Sequence, residues 1–190
     1  MQLSGVLKRV AVKLSKICND LRLLSSGPRT GLNEINLPPM QPGSSIMPGK
    51  VNPVIPEVVN MVCFQVVGND LTITMAAEAG QLQLNAFEPV IAAVLFEAQT
   101  LFVNGAKTLR KYCVDGITAN ADVCKHYLES SIGTVTALNP VIGYDKATEL
   151  AAEALKSGDG ILELVREKHI LTDEQIEEIL SPAALTGQGR

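Results

Sequence analysis

The sequence predicts an all-α fold, in which long helices of a central bundle precede a small helical domain. Apolar residues near the N-terminus recur at alternating steps of three and four, as on one face of a helix. Two further apolar stretches, 56–75 and 88–113, are too long for strands. No glycine-rich nucleotide motif and no alternation of strands and helices accompanies them, so a nucleotide-binding α/β fold is excluded.

The first predicted helix carries an apolar seam with the spacing of long helices that pack side by side. Its members are Leu3, Leu7, Val10, Leu14, Ile17, Leu21 and Leu24. The seam starts at the first residues without a capping residue before it, as in a helix entered midway. We therefore expect the chain to be a portion of a longer one. The stretch 25–43 is dense in glycine and proline and predicts a loop.

The two long apolar stretches predict buried helices. Apolar side chains fall on nearly every face of 56–75, which is typical of a helix inside a large bundle or between subunits. The second helix should end near Gly116. Its predicted apolar face consists of Ile91, Val94, Leu95, Ala98, Leu101, Phe102, Gly105, Ala106 and Leu109.

Beyond residue 118 the predicted helices become shorter and more charged. We divide the chain into the C-terminal part of a helical bundle domain, 1–118, and a small helical C-terminal domain, 119–190. Gly158 predicts a helix C-cap, Asp159 is a possible N-cap of the next helix, and Thr172 with Gln175 has the spacing of a capping box.

Composition and charge exclude several classes of partner. The net charge is −4 without a basic run, so no nucleic acid is expected. No apolar run reaches the ~18 residues of a membrane helix, so we expect no membrane association. The four cysteines have neither zinc-site nor disulfide-framework spacing, so we expect no metal and favour the cytoplasm.

The loop 42–53, PGSSIMPGKVNP, predicts an anion-binding site. Asn52 followed by proline is typical of a helix start, with Asn as cap and Pro as first helical residue. Lys50 and Asn52 would then lie at the positive end of a buried helix, and Ser44 and Ser45 would add hydroxyls between glycines. These features suit a carboxylate or phosphate pocket under a lid. An ordinary Pro/Gly loop with a helix cap explains them equally well.

The segment GSSIMPGKVNP resembles the signature loop of the fumarase/aspartase superfamily. Members of this family eliminate a group from a succinyl skeleton and release fumarate or a fumaryl product. The resemblance extends from LSKICNDLRLLSSGPR to LTDEQIEEILSP and covers the C-terminal part of a longer family polypeptide. It implies a central helical bundle assembled as a homotetramer.

Within the family, NEINLP, NPVIPEVVNMVCFQVVGND and MAAEAGQLQLN are similar to the branch that eliminates ammonia from L-aspartate to give fumarate. The segment TALNPVIGYDKA is partly fumarase-like. The resemblance therefore implies an aspartate ammonia-lyase reaction with L-aspartate and fumarate as small-molecule substrates and with no cofactor. The alternatives are a fragment of a class II fumarase and a non-catalytic helical assembly module.

The resemblance also implies roles for individual residues. It makes Ser44 the catalytic base and Ser45 a further substrate contact. Lys50 and Asn52 match residues that hold a substrate carboxylate. Glu57 matches a glutamate that hydrogen-bonds a histidine supplied from elsewhere, although the residues alone favour an ordinary glutamate near a helix N-terminus.

The family site is assembled from three regions, each from a different subunit. The other two, a threonine/serine anion site and a histidine segment, are upstream regions that this sequence does not contain. His126 and His169 are in the predicted small domain, where we expect them to be surface residues. The chain alone therefore supplies one of three regions, and we expect it to be inactive.

Overall fold

A computed structural model describes residues 1–41, 43, 47 and 50–187. The described chain is predominantly helical with little sheet, which confirms the all-α prediction. It separates into two compact units, one covering Met1–Asn120 and the other beginning at Ala121.

The first unit is built on three long helices, and α2 contacts both of the others. They are α1 (Gln2–Leu24), α2 (Val54–Glu78) and α3 (Glu88–Tyr112), and a short 3₁₀ turn (Val114–Gly116) follows α3. Two short strands, β1 (Ile35–Asn36) and β2 (Thr118–Ala119), pair antiparallel with Ile35 opposite Ala119. This pairing joins the loop after α1 to the segment after α3.

The core of this unit is formed by small and branched residues from all three helices. Its buried members are Ala11, Cys18, Val59, Cys63, Val66, Ala98, Leu109 and Cys113. Small residues at the centre let the helices approach closely, while Leu7, Leu14 and Leu21 pack at the edge.

The predicted seam of α1 is wrong at three of its seven positions. Leu3, Val10 and Ile17 are exposed, and the fully buried positions one residue later are Ser4, Ala11 and Cys18. The seven-residue repeat is retained, but it runs through small side chains. A pattern search that counts only large apolar residues therefore assigns the buried face one position too early.

The apolar length of α2 and α3 requires a second correction. By length and composition alone, Val54–Glu78 and Glu88–Gly116 could cross a membrane. The prediction that no apolar run is long enough to span a membrane is therefore wrong. The core helix of a water-soluble bundle meets the same criterion. Packing of α2 against α1 and α3, with Asn69 and Asp70 buried, accounts for one of its apolar faces.

The second unit consists of short helices around its own core. They are α4 (Ala121–Ser130), a 3₁₀ helix (Ile132–Leu138), α5 (Asn139–Ile142), α6 (Tyr144–Ser157), α7 (Ile161–Glu167), α8 (Asp173–Leu180) and α9 (Pro182–Leu185). Its buried core residues are Leu138, Leu150, Ala154, Ile161, Leu164, Val165, Ile176 and Leu180.

Two predicted helix ends in this unit are confirmed and one is wrong. Gly158 ends α6 with a φ of 86°, and Thr172 and Gln175 form the capping box of α8. Asp159 does not cap α7, because Gly160 occupies the N-cap position. A Cβ atom at residue 160 would lie 2.3 Å from the carbonyl oxygen of Glu129, so glycine is needed there for close backbone approach.

Candidate active site

A cleft of about 530 Å³ lies where α1 ends and α2 begins. Three segments line it: the last turn of α1 with the loop that follows, strand β1 with the residues after it, and the segment that leads into α2. The polar residues of the lining are Arg22, Ser25, Ser26, Asn33, Asn36, Lys50, Asn52 and Glu57. The wall therefore mixes charged and amide side chains, as a site for a small polar ligand requires.

Three of the predicted site residues line this cleft together. Lys50 is exposed, while Asn52 and Glu57 are half-buried. Ser44 and Ser45 lie outside the described residues. The amide of Gly43 donates a hydrogen bond to the carbonyl of Lys50 at 2.5 Å, so the two ends of the stretch 43–50 are adjacent.

The start of α2 differs from the predicted one. Pro53 is the N-cap residue and Val54 begins the helix, with no side-chain cap from Asn52. The carbonyl of Asn52 instead accepts the amide of Val54 at 2.9 Å. Pro53 and Pro56 have no amide proton, so this helix end presents fewer N–H donors to an anion than the sequence suggested. Attraction for an anion must come chiefly from cationic side chains.

Arg22 is a cleft residue that the sequence analysis missed. Its Nη2 atom lies 3.9 Å from Oε1 of Glu57, and its Nη1 atom donates to Oδ1 of Asn60 at 3.5 Å. The available signal was weak: a basic residue in the last turn of a helix, next to the seam residue Leu21. Nothing local in the sequence pairs it with a helix that starts some thirty residues later.

Asn60 is buried one turn further along α2 than Glu57. Its Nδ2 atom donates to the carbonyl of Ser15 at 3.0 Å and to Oγ of the same serine at 2.8 Å. Asn60 therefore attaches the first turns of α2 to α1, next to the cleft residue Arg22. A buried amide with satisfied donors contributes to a fixed arrangement of the two helices.

Asparagine side chains fix the opposite wall. The backbone N–H of Asn120 donates to the carbonyl of Glu34 at 2.9 Å, and its side-chain Nδ2 donates to the carbonyl of Asn33 at 2.8 Å. Asn36 donates from Nδ2 to Oδ1 of Asn120 at 2.7 Å. The loop after α1 is thereby attached to the segment around β2.

The charges of the cleft favour an anionic ligand. The charged lining residues are Arg22, Lys50 and Glu57, two cations and one carboxylate, so this part of the lining has a net charge of +1. Because Arg22 is directed to Glu57 and Asn60, the ammonium group of Lys50 is the cation that can attract a ligand carboxylate. His126 and His169, by contrast, are both exposed residues of the second unit, as expected.

Comparison with known families gives two matches in different parts of the chain. The family described as "Lyase" matches residues 1–68, which include the whole cleft lining. The family described as "Fumarase C C-terminus" matches residues 135–187 in the second unit.

The proteins and solved structures that this chain resembles include an aspartate ammonia-lyase, a fumarate lyase and a fumarase. Aspartate ammonia-lyase of Helicobacter pylori is 65% identical over 182 residues, which is 96% of this chain and 39% of that protein. The crystal structure of a fumarate lyase:delta crystallin from Brucella melitensis, 57% identical, has a TM-score of 0.88 over 96% of this chain and 39% of that one. A class II fumarase from Schistosoma mansoni, 42% identical, has a TM-score of 0.86 over 95% of this chain and 38% of that one.

The present chain thus spans about two fifths of the length of the proteins that it matches. Within that span, the identities are high along nearly the whole chain and the helical architecture is the same. The chain belongs to the fumarase/aspartase superfamily of lyases.

Proposed function

We propose that the chain is part of an ammonia-lyase that reversibly eliminates ammonia from L-aspartate to give fumarate, and that it supplies one of three active-site regions. The observation that carries the proposal is the convergence of Lys50, Asn52 and Glu57 on one cleft with Arg22. The 65% identity to an aspartate ammonia-lyase, against 42% to a class II fumarase, supports aspartate as the substrate.

The reaction requires the kind of site that this cleft offers. Removal of the proton beside a carboxylate produces a dianionic aci-carboxylate, which is very unstable in water. An enzyme must hold cationic and hydrogen-bonding groups against that carboxylate and place a base at the neighbouring carbon. In the proposal, Lys50 and Asn52 bind the carboxylate, and the positive charge of Lys50 stabilises the dianion.

The serines complete this region of the proposed site. Ser44 is the base that removes the proton, and Ser45 is a further substrate contact. A serine hydroxyl is a poor base unless its alkoxide is stabilised by amides and a nearby cation, and Lys50 is a cation of the same loop. Glu57 hydrogen-bonds a histidine that comes from another region of the enzyme.

We further propose that the complete enzyme is a cytoplasmic homotetramer whose active sites are shared between subunits. In that arrangement the threonine/serine anion site and the histidine come from other subunits. One copy of the present cleft would then be complete only after assembly.

A hybrid enzyme tests the proposal. In this hybrid, the present chain replaces the matched residues of the Helicobacter pylori aspartate ammonia-lyase, to which it is 65% identical. The expected result is formation of fumarate from L-aspartate, followed by ultraviolet absorbance, with no comparable activity on malate. The 190-residue chain alone is the control and should show no turnover of either acid.

The other outcomes contradict the proposal in distinct ways. A hybrid that acts on malate but not on aspartate would make the chain part of a fumarase. A folded, tetrameric hybrid without either activity would favour an assembly module. Robust fumarate formation by the chain alone would overturn the assignment of the missing regions.

A further inference from the structure

We propose that Arg22 is a positioning residue, which holds the carboxylate of Glu57 in its place in the cleft. This inference rests on the proposed function, because it concerns the same site. It adds a residue of α1 to a reaction whose other proposed groups in this chain lie within or just after the loop 42–53.

The contact between Arg22 and Glu57 is one of the polar contacts that link α1 to α2 along their length. Lys8, Ser15 and Arg22 are spaced by seven residues and therefore lie on one face of α1. On α2 they contact Asp70, Asn60 and Glu57 respectively. The two helices thus run antiparallel with a row of polar contacts between them, and the contact of Arg22 is the one in the cleft.

Asn60 fixes the direction in which Arg22 approaches. Both donor contacts of its Nδ2 atom go to Ser15, at 3.0 and 2.8 Å, so the carbonyl end of the amide must point away from that serine. That end, Oδ1, accepts from Nη1 of Arg22 at 3.5 Å. Because Asn60 is only 3% exposed, water competes little for these contacts.

The guanidinium group therefore has one side directed to a buried amide and the other to a carboxylate. Its Nη2 atom lies 3.9 Å from Oε1 of Glu57, and the two side chains are 42% and 34% exposed. A pair of this exposure contributes little to folding stability. The chemical effect of this contact is to orient the carboxylate of Glu57 in the cleft. Glu57 lies in the first turn of α2, so little of the helix precedes it.

This arrangement suits a residue that acts through Glu57 and not on the substrate. In the proposed reaction Glu57 orients a histidine, so displacement of its carboxylate misaligns the histidine as well. A misplacement of about 1 Å near reacting groups can lower a rate by about 100-fold. Loss of Arg22 should therefore reduce kcat more than it changes KM.

Kinetics of the hybrid enzyme provide the first test. Arg22→Gln is expected to lower kcat on the order of 10-fold to 100-fold with KM little changed, and Arg22→Lys should recover part of the loss because it restores the charge. In a Glu57→Gln background, Arg22→Gln should have little further effect. Arg9→Gln, an exposed arginine on the same helix that does not line the cleft, is the matched control.

Three results would overturn the inference. One is wild-type kcat in Arg22→Gln, and another is a loss confined to KM, which would make Arg22 a substrate contact. The third is an undiminished effect of Arg22→Gln when Glu57 is already changed, because the arginine would then act independently of the glutamate.

A second test does not depend on activity. Crystal structures of the 190-residue chain are compared for the wild type, Arg22→Gln and the control Arg9→Gln. The inference expects the Glu57 carboxylate to keep its place in Arg9→Gln and to be displaced in Arg22→Gln, and an unmoved carboxylate in Arg22→Gln would overturn it. A hybrid without turnover would defeat the proposed function, while this comparison would still decide whether Arg22 holds the carboxylate in place.

Discussion

At the scale of single residues, removal of the Lys50 ammonium group and removal of the Ser44 hydroxyl should have different kinetic effects. Lys50 is exposed and lines the cleft, so its ammonium group is available to a ligand before and during the reaction. The hydroxyl of Ser44 is proposed to act only in the proton transfer. Binding and chemistry should therefore separate in the kinetics of their variants.

In the hybrid enzyme, Ser44→Ala should abolish most turnover and leave much of the affinity for aspartate. Lys50→Ala should impair kcat and KM together, with a loss in kcat/KM on the order of 10²–10³-fold, by analogy with removal of one oxyanion donor. Steady-state kinetics and a fluorescence measurement of aspartate binding distinguish the two. Near-normal kcat in Ser44→Ala with an inactive Lys50→Ala would make the loop a binding clamp and place the base elsewhere.

The cysteines illustrate how burial controls reactivity. Burial, with the neighbouring Cys63 and Cys113 thiols as smaller contributions, raises the pKa of Cys18 to about 11. Burial also raises the pKa of Cys63 and of Cys113. The reactive species is the thiolate, so these three side chains combine restricted access with a low fraction of the reactive form.

Iodoacetamide at pH 8 should therefore label Cys124 first, because this residue is exposed on α4. The three buried cysteines should react only after urea is added. Mass spectrometry of tryptic peptides before and after unfolding measures the difference, and Cys124→Ser should remove the labelling of the folded chain. Rapid modification of Cys18 in the folded chain would show that the core opens more readily than its packing suggests.

The site residues that could be predicted from the sequence are those that lie close together along the chain. Lys50, Asn52 and Glu57 fall within eight residues, and a helix that begins between them brings them to one cleft. Arg22 and the asparagine wall come from segments that are distant in sequence, and only the antiparallel packing of α1 on α2 unites them with the loop. The pattern Asn52-Pro53 predicts the helix start one residue too early, because Pro53 occupies the N-cap position and Val54 begins the helix.

At the scale of the helices, the α1–α2 contact depends on polar residues as well as on the core. The Nζ atom of Lys8 lies 2.5 Å from Oδ2 of Asp70, whose side chain is only 9% exposed. The hydrogen bond from Lys8 lowers the pKa of Asp70, and this effect exceeds the opposing effect of burial. Lys16 and Asp20 form a comparable pair, but both members are on α1 and exposed.

These two pairs give a matched comparison of stability. Lys8→Met leaves a buried carboxylate without its cation and should lower the free energy of unfolding by roughly 1–3 kcal/mol at pH 7. Lys16→Met removes an exposed pair four residues apart and should cost only about 0.3–0.5 kcal/mol. Urea unfolding measures both, and equal effects would contradict the structural distinction between the pairs.

The same ion pair predicts a pH dependence. Because the folded pKa of Asp70 lies below its unfolded value of about 3.9, the pair stabilises the fold fully above that value. The stabilisation is lost as the pH falls through the folded pKa. The difference in urea midpoint between the wild type and Lys8→Met should therefore be large at pH 7 and should shrink below about pH 4. A difference that grew on acidification would have the wrong sign for this pair.

Helix existence was easier to predict than the side that each helix buries. The seven-residue repeat of α1 is real, but Ser4, Ala11 and Cys18 occupy its centre, and serine and alanine carry little apolar signal. Which of two adjacent stripes faces inward is decided by how closely α2 can approach. That quantity depends on both helices and cannot be obtained from the pattern of one.

At the scale of the whole molecule, contacts among the described residues leave the outer face of α2 exposed. Val59, Val66 and Ile73 are buried, whereas Met61, Phe64, Leu71 and Met75 are each about three-fifths exposed. Together with the exposed Gly68, the exposed residues have the alternating three- and four-residue spacing of a helix-packing seam. A Cβ atom at Gly68 would meet no heavy atom of the described residues within 4 Å. The helix is therefore apolar on two faces, and the described part of the chain covers one of them.

We expect this second face to pack against other copies of the chain, since exposed apolar stripes of this length are uncommon on monomers. The 190-residue chain should sediment as a dimer or tetramer at micromolar concentration. The double variant Phe64→Glu/Leu71→Glu should shift it toward the monomer while circular dichroism shows its helices intact, because two buried carboxylates at one seam would lack partners. Asn104→Glu, which adds a charge at an exposed position of α3, is the control and should leave the assembly unchanged. A wild-type chain that sediments as a clean monomer, or a double variant that retains the full assembly, would show that this face is not the one that joins the copies.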